Sequence, residues 1–324
     1  MEEVHKSSTN DQSNHHRVPP RATADHILDG VALNGKRMIV TGGASGIGAQ
    51  TVRALAKAGA EVTAAVRNPA ALQPIIQEAK DKNWPGTINA ARLDLADLGS
   101  VREFTDSWDG PLHSLVANAG IMAIPELRRA PGGWELQLAT NYLGHFTLTT
   151  WLDDALRAAG DARVTIVSSG AHRNNPLNYQ DPQFEQTPYD PWVAYGQSKT
   201  AGVLLAVGIA NRWAKDGIVA NALMPGWINT NLQRHIDLET LQKMGGADAE
   251  GNRIDQPHYK TMEQGAATNV LFAASPILAG VTGRYFEDNQ EAAIATSDTG
   301  AGVAAHALDP EHAEKLWEYA QSVL

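Results

Sequence analysis

Apolar and polar positions alternate between two periods along most of the chain. Short apolar runs stand at 37–41, 61–66, 87–93, 114–118, 163–168 and 219–224, with a shorter last one at 283–286. Their length and composition predict strands. Between them, apolar residues recur at helical spacing over 51–58, 99–108, 134–156, 193–215 and 263–274. A helix is also predicted at 23–33, followed by a turn at Asn34-Gly35-Lys36. Strands that alternate with helices of this length form βαβ units. The expected fold class is therefore α/β: a single doubly wound Rossmann domain over 23–324, with a mostly parallel sheet, helices on both faces and right-handed crossovers. No internal repeat or linker divides it. Residues 1–22 are polar and are expected to form a disordered tail.

Composition works mainly by exclusion. A net charge of -10 argues against a nucleic-acid partner, because neutralising phosphates needs clustered cations. The absence of cysteine removes disulfides, thiol nucleophiles and thiolate zinc sites, and no metal site is expected. The longest apolar candidate, 203–210, is too short to span a bilayer. The first twenty residues lack the apolar core of a signal peptide, and His15 and His16 lack the surroundings of a metal site. A cytoplasmic protein without a membrane partner is the expectation.

Candidate chemistry begins at Thr41-Gly42-Gly43-Ala44-Ser45-Gly46-Ile47-Gly48, between a predicted strand and helix. A helix N-terminus offers free N–H groups to phosphate, and glycines let the backbone approach it. Gly42, Ser45, Gly46, Ile47 and Gly48 are thus candidate dinucleotide ligands. Arg67 follows the second strand, where an acidic residue would hold a ribose 2′-hydroxyl and an arginine accommodates a 2′-phosphate. This favours NADP(H), with NAD(H) possible.

Further along, Tyr195-Gly196-Gln197-Ser198-Lys199 opens a long predicted helix, and spacing i, i+4 puts Tyr195 and Lys199 on one face. A nearby ammonium should lower the tyrosine pKa by roughly 1 to 3 units, making the phenol a usable acid–base group.

The glycine spacing T-G-x-x-x-G-x-G, together with Y-x-x-x-K after a strand ending in Ser168-Ser169, resembles the short-chain dehydrogenase/reductase family. The resemblance covers about 23 to the C-terminus. It implies hydride transfer between nicotinamide and a carbonyl or alcohol. It also implies that Ser169 polarises the substrate oxygen, Tyr195 transfers the proton, and Lys199 tunes Tyr195 and binds the nicotinamide ribose. Asn141, in the segment Asn141-Tyr142-Leu143-Gly144-His145-Phe146, resembles the family asparagine that holds a water in a proton relay. The cofactor contacts it implies are Asp94 and Leu95 at the adenine, Asn118-Ala119-Gly120 beside the nicotinamide ribose, and Pro225-Gly226 with Ile228 and Thr230 at the carboxamide. A homo-oligomer is the family habit. His113, His145 and His172 lack ligand spacing and read as structural.

The 26 positions from Ser169 to Tyr195 exceed what the commonest family members show. They define a loop, 171–191, beside the active site; its length and the lead-in at 23–36 resemble the retinol-dehydrogenase-like branch. A second loop, 231–262, carries Gly245-Gly246 and reads as a mobile lid over the substrate. Trp192 and Trp227 flank the motifs, which points to a lipophilic or aromatic substrate, although eight tryptophans could equally fill the core. Two alternatives stand beside this reading. One is a sugar-nucleotide epimerase or dehydratase of the extended group, which shares Y-x-x-x-K but has another glycine spacing and a larger C-terminal domain. The other is a non-catalytic dinucleotide-sensing protein, expected to have lost one of Ser169, Tyr195 and Lys199.

Overall fold

Six of the predicted strands form with their bounds nearly as read. The computed structural model describes residues 18–296 and 300–324. Its strands are β1 (Arg37–Thr41), β2 (Glu61–Val66), β3 (Thr87–Arg92), β4 (Ser114–Ala117), β5 (Arg163–Val167), β6 (Val219–Met224), β7 (Tyr285–Glu287) and β8 (Gln290–Glu291). They form one sheet in the order β3-β2-β1-β4-β5-β6-β7-β8. Every pairing is parallel except β7 with β8. The central strands are buried on both faces, β4 at all four positions, which is why they read as unbroken apolar runs.

Helices cover both faces. One is packed by α1 (Ala24–Ile27), α2 (Gly46–Lys57), α3 (Gln73–Asp81) and α10 (Met262–Ala273), whose apolar residues share a core with β1 and β2. The other is packed by α4 (Leu98–Asp106), α6 (Gly144–Trp151), α8 (Pro191–Trp213) and α11 (Pro310–Val323). Helix α8 is buried without interruption from Ala194 to Ala210. It is a central helix with no polar face of its own.

Several expectations need correction. The long helix expected over 134–156 is three short helices, α5 (Leu136–Leu138), α6 and α7 (Asp153–Ala159), with a π-turn at Ala139–Leu143 between the first two. The helix expected over 23–33 is a single turn, α1. Helices α3, α9 (Leu238–Lys243) and α11, and strand β8, had no counterpart in the sequence reading. Most of the polar stretch 1–22, His15 and His16 included, lies outside the described residues. Its last residues are packed: Val18 and Ala22 are buried, and the Val18 and Pro19 carbonyls accept from Gln290 Nε2 and Asn289 Nδ2. The lead-in therefore docks on the β7–β8 hairpin before α1 begins.

Candidate active site

The strand order reverses between β1 and β4, and the crevice at such a switch point is where open α/β sheets bind ligands. The glycine turn leaves β1 there. Gly42 and Gly46 hold positive φ of 69° and 56°, conformations that glycine adopts without a Cβ penalty. Gly48 lies against the turn so closely that a Cβ would stand 2.4 Å from the Gly42 carbonyl oxygen and 2.5 Å from Asn118 Nδ2. Ser45 begins α2 in extended conformation and gives no side-chain hydrogen bond to the first turn. The N–H groups at that helix end are left for another acceptor.

Thr41, not singled out from sequence, ties this turn to the rest of the site. Its Oγ1 accepts from the Asn118 and Ala119 N–H groups, both at 2.9 Å, while Asn118 Nδ2 donates to the Thr41 carbonyl at 2.9 Å. The Thr41 hydroxyl lies 2.9 Å from Nε2 of His145, whose Nδ1 is 3.2 Å from the Asn141 carbonyl oxygen. A carbonyl only accepts, so Nδ1 carries the proton. Burial holds the His145 pKa down at about 4, so Nε2 is a bare acceptor and the Thr41 hydroxyl donates to it. One defined chain of hydrogen bonds thus joins the glycine turn to Asn141.

Asn141 sits in the π-turn, fully inside. Its Oδ1 accepts from the Ile121 N–H and its Nδ2 donates to the Ile121 carbonyl and to Ser198 Oγ, each at 2.9 Å. The side chain is therefore held by three hydrogen bonds, and the main-chain carbonyl accepts from His145 Nδ1. Ser198 in turn donates to the Tyr195 carbonyl at 2.7 Å, fixing α8 against the π-turn. A Cβ at Gly120 would lie 3.2 Å from Asn141 Oδ1 and 3.4 Å from Lys199 Nζ. Asn118-Ala119-Gly120, Asn141 and Lys199 therefore meet in one place.

The two serines after β5 have different work. Ser168 is buried and donates to the Lys199 carbonyl at 2.9 Å, pinning α8 to the sheet. Ser169 starts the 3-10 turn Gly170–Asn174, its Oγ accepting from the Ala171 N–H at 3.2 Å, and its hydroxyl also faces the Tyr195 phenol. His172 supports it from behind: Nδ1 donates to the Ser169 carbonyl at 2.6 Å and Nε2 accepts from the Ala304 N–H at 3.1 Å. His113 similarly accepts from the Arg37 N–H through Nδ1.

Lys199 Nζ donates to the Val167 carbonyl at 2.9 Å and stands 5.7 Å from the centre of the Tyr195 ring. Both groups are buried, and this reverses one expectation. Rather than falling, the Tyr195 pKa is pushed up to about 12, because burial penalises the phenolate more than the Ser169 hydrogen bond favours it. The same burial lowers Lys199 to about 8. At about 8 the lysine is still mostly cationic at neutrality, but its charge does not offset the cost of burying the phenolate.

Around Tyr195 the surface is apolar. Met122, Ala123, Ala171, Trp192, Leu232 and Ile236 cluster on it, and the Trp192 ring meets the Tyr195 ring edge-on at 6.5 Å. Trp227 belongs to a separate group, stacked on Tyr259 at 6.4 Å beside His258. The 231–262 segment is more built than a bare loop. It contains the 3-10 turn Asn231–His235 and α9, and Arg21 Nη2 donates to the Pro257 and Tyr259 carbonyls. The 171–191 loop is also anchored. Asp181 gathers the N–H groups of Glu185, Gln186 and Thr187, and Tyr189 donates to the Ile124 carbonyl at 3.0 Å.

The remaining candidates divide. Thr230 lies at the glycine turn: a Cβ on Gly46 would be 3.6 Å from its Cγ2. Ile47 and Ile228 both pack on Gly265 of α10, so their side chains serve the helix packing. Pro225 and Gly226 follow β6, where a Cβ on Gly226 would lie 2.9 Å from Lys260 Cδ. Asp94 is half-buried and turns its carboxylate onto the Ala96 N–H. Leu95 points into the core, leaving only its backbone to face a ligand. Arg67 is exposed at the end of β2. Among the described residues no group of three or more His, Asp or Glu is placed to hold a metal, and no helix is long and apolar enough to cross a membrane.

Comparison with known proteins agrees with this architecture. The family model for short chain dehydrogenases matches residues 36–240. A Streptomyces antibioticus protein named "Probable oxidoreductase" is 60% identical over 294 residues, covering 90% of this chain and 98% of its own. Human retinol dehydrogenase 14 is 32% identical over 305 residues, covering 89% and 86%. Among solved structures, a gluconate 5-dehydrogenase from Burkholderia cenocepacia in complex with NADP and tartrate superimposes with a TM-score of 0.61 at 25% identity, covering 81% of this chain and 96% of that one. The chain belongs to the short-chain dehydrogenase family, with a relationship to its retinol-dehydrogenase-like members, and is an oxidoreductase of that family.

Proposed function

We propose that the protein interconverts a lipophilic carbonyl compound and its alcohol with NADP(H), and that Tyr195 is the acid–base group. The observation that carries this reading is the meeting of Ser169, Tyr195 and Lys199 beside Asn141 and Gly120, under an apolar wall.

The residues present fit a dinucleotide. The close packing at Gly48 admits no side chain and so keeps the turn tight against the start of α2, Ser45 leaves the N-terminus of α2 uncapped, and Arg67 carries no carboxylate partner among the described residues. When bound, the nicotinamide supplies or takes the hydride. The protein then handles the oxygen. Ser169 hydrogen-bonds the substrate oxygen as negative charge grows there. Tyr195, protonated at neutrality because burial raises its pKa, donates its phenolic proton to that oxygen. Lys199, close to the ring, stabilises the phenolate left behind, and a water near Asn141 returns the proton. Removal of a proton from an alcohol runs through the same groups in reverse.

The cluster of Met122, Trp192, Leu232 and Ile236 at Tyr195 favours a lipophilic substrate, and the relationship to retinol dehydrogenase 14 supports it. NADP(H) is favoured by Arg67 and by the NADP complex of the gluconate 5-dehydrogenase. The reading is tested by following nicotinamide absorbance with NADPH and NADH against a panel of aldehydes, ketones and quinones. Tyr195→Phe should lower turnover by about 10²- to 10⁴-fold while leaving NADPH binding intact. Turnover that survives this substitution would remove Tyr195 from the chemistry.

A further inference from the structure

The hydroxyl of Ser169 can serve a substrate oxygen only if the backbone that carries it is held still. Ser169 leaves the end of β5 in extended conformation and is followed by Gly170, which puts no side chain in the way of a swinging peptide. Ser169 Oγ accepts from the Ala171 N–H across that peptide, so a swing would re-aim the hydroxyl.

His172 stops the swing. The Ser169 carbonyl accepts twice from it, from the main-chain N–H at 3.2 Å and from Nδ1 at 2.6 Å. A carbonyl only accepts, so Nδ1 holds the proton and Nε2 is the bare acceptor for the Ala304 N–H. Burial keeps the His172 pKa down at about 4, so this neutral tautomer lasts across the neutral range. The residue is itself seated from three directions. Its ring lies against Tyr285 of β7, with centroids 4.8 Å apart. Its carbonyl accepts from Thr200 Oγ1 at 3.2 Å, on the helix that carries Tyr195, and from His306 Nε2 at 3.1 Å. A fully buried imidazole with both nitrogens committed thus stands directly behind a group of the site.

We propose that His172 is a positioning residue for Ser169: its Nδ1 donor fixes the Ser169–Gly170 peptide, and with it the aim of the serine hydroxyl at the substrate oxygen. The imidazole does so by joining Ser169 to β7, to α8 and to the segment 304–306. Residues late in the chain therefore help to aim a group at the reacting atoms. This inference rests on the reading above that Ser169 bonds the substrate oxygen.

The test is a double-mutant cycle on kcat for NADPH-dependent reduction of an aldehyde or ketone that turns over in the panel, with NADPH affinity titrated alongside. His172→Gln puts its amide where Nε2 stood and loses the donor to Ser169. His172→Asn puts its amide nitrogen where Nδ1 stood and loses the contact to Ala304. His172→Gln should lower kcat about 10- to 100-fold, the effect of a reacting group held slightly out of line, and leave NADPH affinity as it was. His172→Asn should lose less than about threefold, since the donor to Ser169 is kept. In a Ser169→Ala background, His172→Gln should change kcat by less than about twofold, because residues that act as one unit are not additive. An equal loss in both backgrounds makes His172 a structural residue only. A greater loss in His172→Asn than in His172→Gln makes Ala304 the contact that matters. Either result overturns the proposal. If the glutamine variant does not fold, the asparagine variant decides alone, and a loss there above about tenfold overturns the proposal. Full turnover in Ser169→Ala itself would instead overturn the assignment of Ser169 on which the inference rests.

Discussion

Tyr195 and Lys199 face each other in a pocket too dry to favour charge on either. Burial moves the tyrosine up to about 12 and the lysine down to about 8, so their pKa values approach from opposite sides. The consequence for pH dependence follows from sign. Tyr195 remains protonated, and able to donate, across the range in which Lys199 loses its charge. Lys199 is cationic below about pH 8 and neutral above it, and only the cation stabilises the phenolate that forms as Tyr195 gives up its proton. The kcat/KM for carbonyl reduction, which reports groups of the free enzyme, should therefore be level below pH 8 and decline above it, approaching about tenfold per pH unit. Lys199→Arg, which keeps its charge, should move the decline to higher pH. A wild-type profile that stays level to pH 10 would mean that the lysine charge does not set the rate.

At the scale of elements, the glycine turn is useful only because three things approach it: the start of α2, Asn118 and the Thr41 hydroxyl. Gly48→Ala tests that closeness. Its Cβ would meet the Gly42 carbonyl and Asn118 Nδ2 at about van der Waals overlap, and backbone cannot give way as a flexible side chain can. NADPH affinity, read by fluorescence titration, should fall at least about tenfold, since 1.4 kcal/mol of displaced contact is enough for that. An unchanged affinity would show that the turn relaxes freely. Elements also differ in how legible they were. The central strands announced themselves because parallel strands buried on both faces need unbroken apolar runs. Tyr195 and Lys199 were legible as a pair from their spacing on one helix, and Ser169 only through the family resemblance. Helix α3 was not legible, because it buries only Ile75 and Ala79. Nor was the π-turn, since 134–156 keeps helical spacing throughout and the break is imposed by Asn141 clamping Ile121. The Thr41–His145–Asn141 chain joins residues far apart in sequence, and no local pattern marks it. The same is true of the direction of the Tyr195 shift, which depends on how deeply tertiary packing buries both partners.

The whole molecule is closed by its C-terminus, and here a readable signal was passed over. In α11 the buried Ala313, Leu316, Trp317 and Ala320 recur at helical spacing after a capping Asp309 and a proline at the first turn. This helix lies across α6 and α8. The Trp317 ring meets Phe146 edge-on at 4.8 Å and Trp213 at 5.7 Å, and Tyr142, in the π-turn beside Asn141, donates to the Leu316 carbonyl at 3.1 Å. The C-terminal helix is thus the back wall of the π-turn, one layer behind the site. Tyr179 of the 171–191 loop also donates to the His312 carbonyl at 2.9 Å, so the same helix holds the loop beside Tyr195. Trp317→Ala should open a cavity between three elements and lower the unfolding free energy by about 3–5 kcal/mol, measured by urea denaturation. Because Trp317 touches neither Tyr195 nor the glycine turn, NADPH affinity well below the melting temperature should change far less than stability. A loss of affinity as large as the loss of stability would mean that the wall sets the geometry of Asn141 directly, and that the site and the C-terminal helix act as one unit.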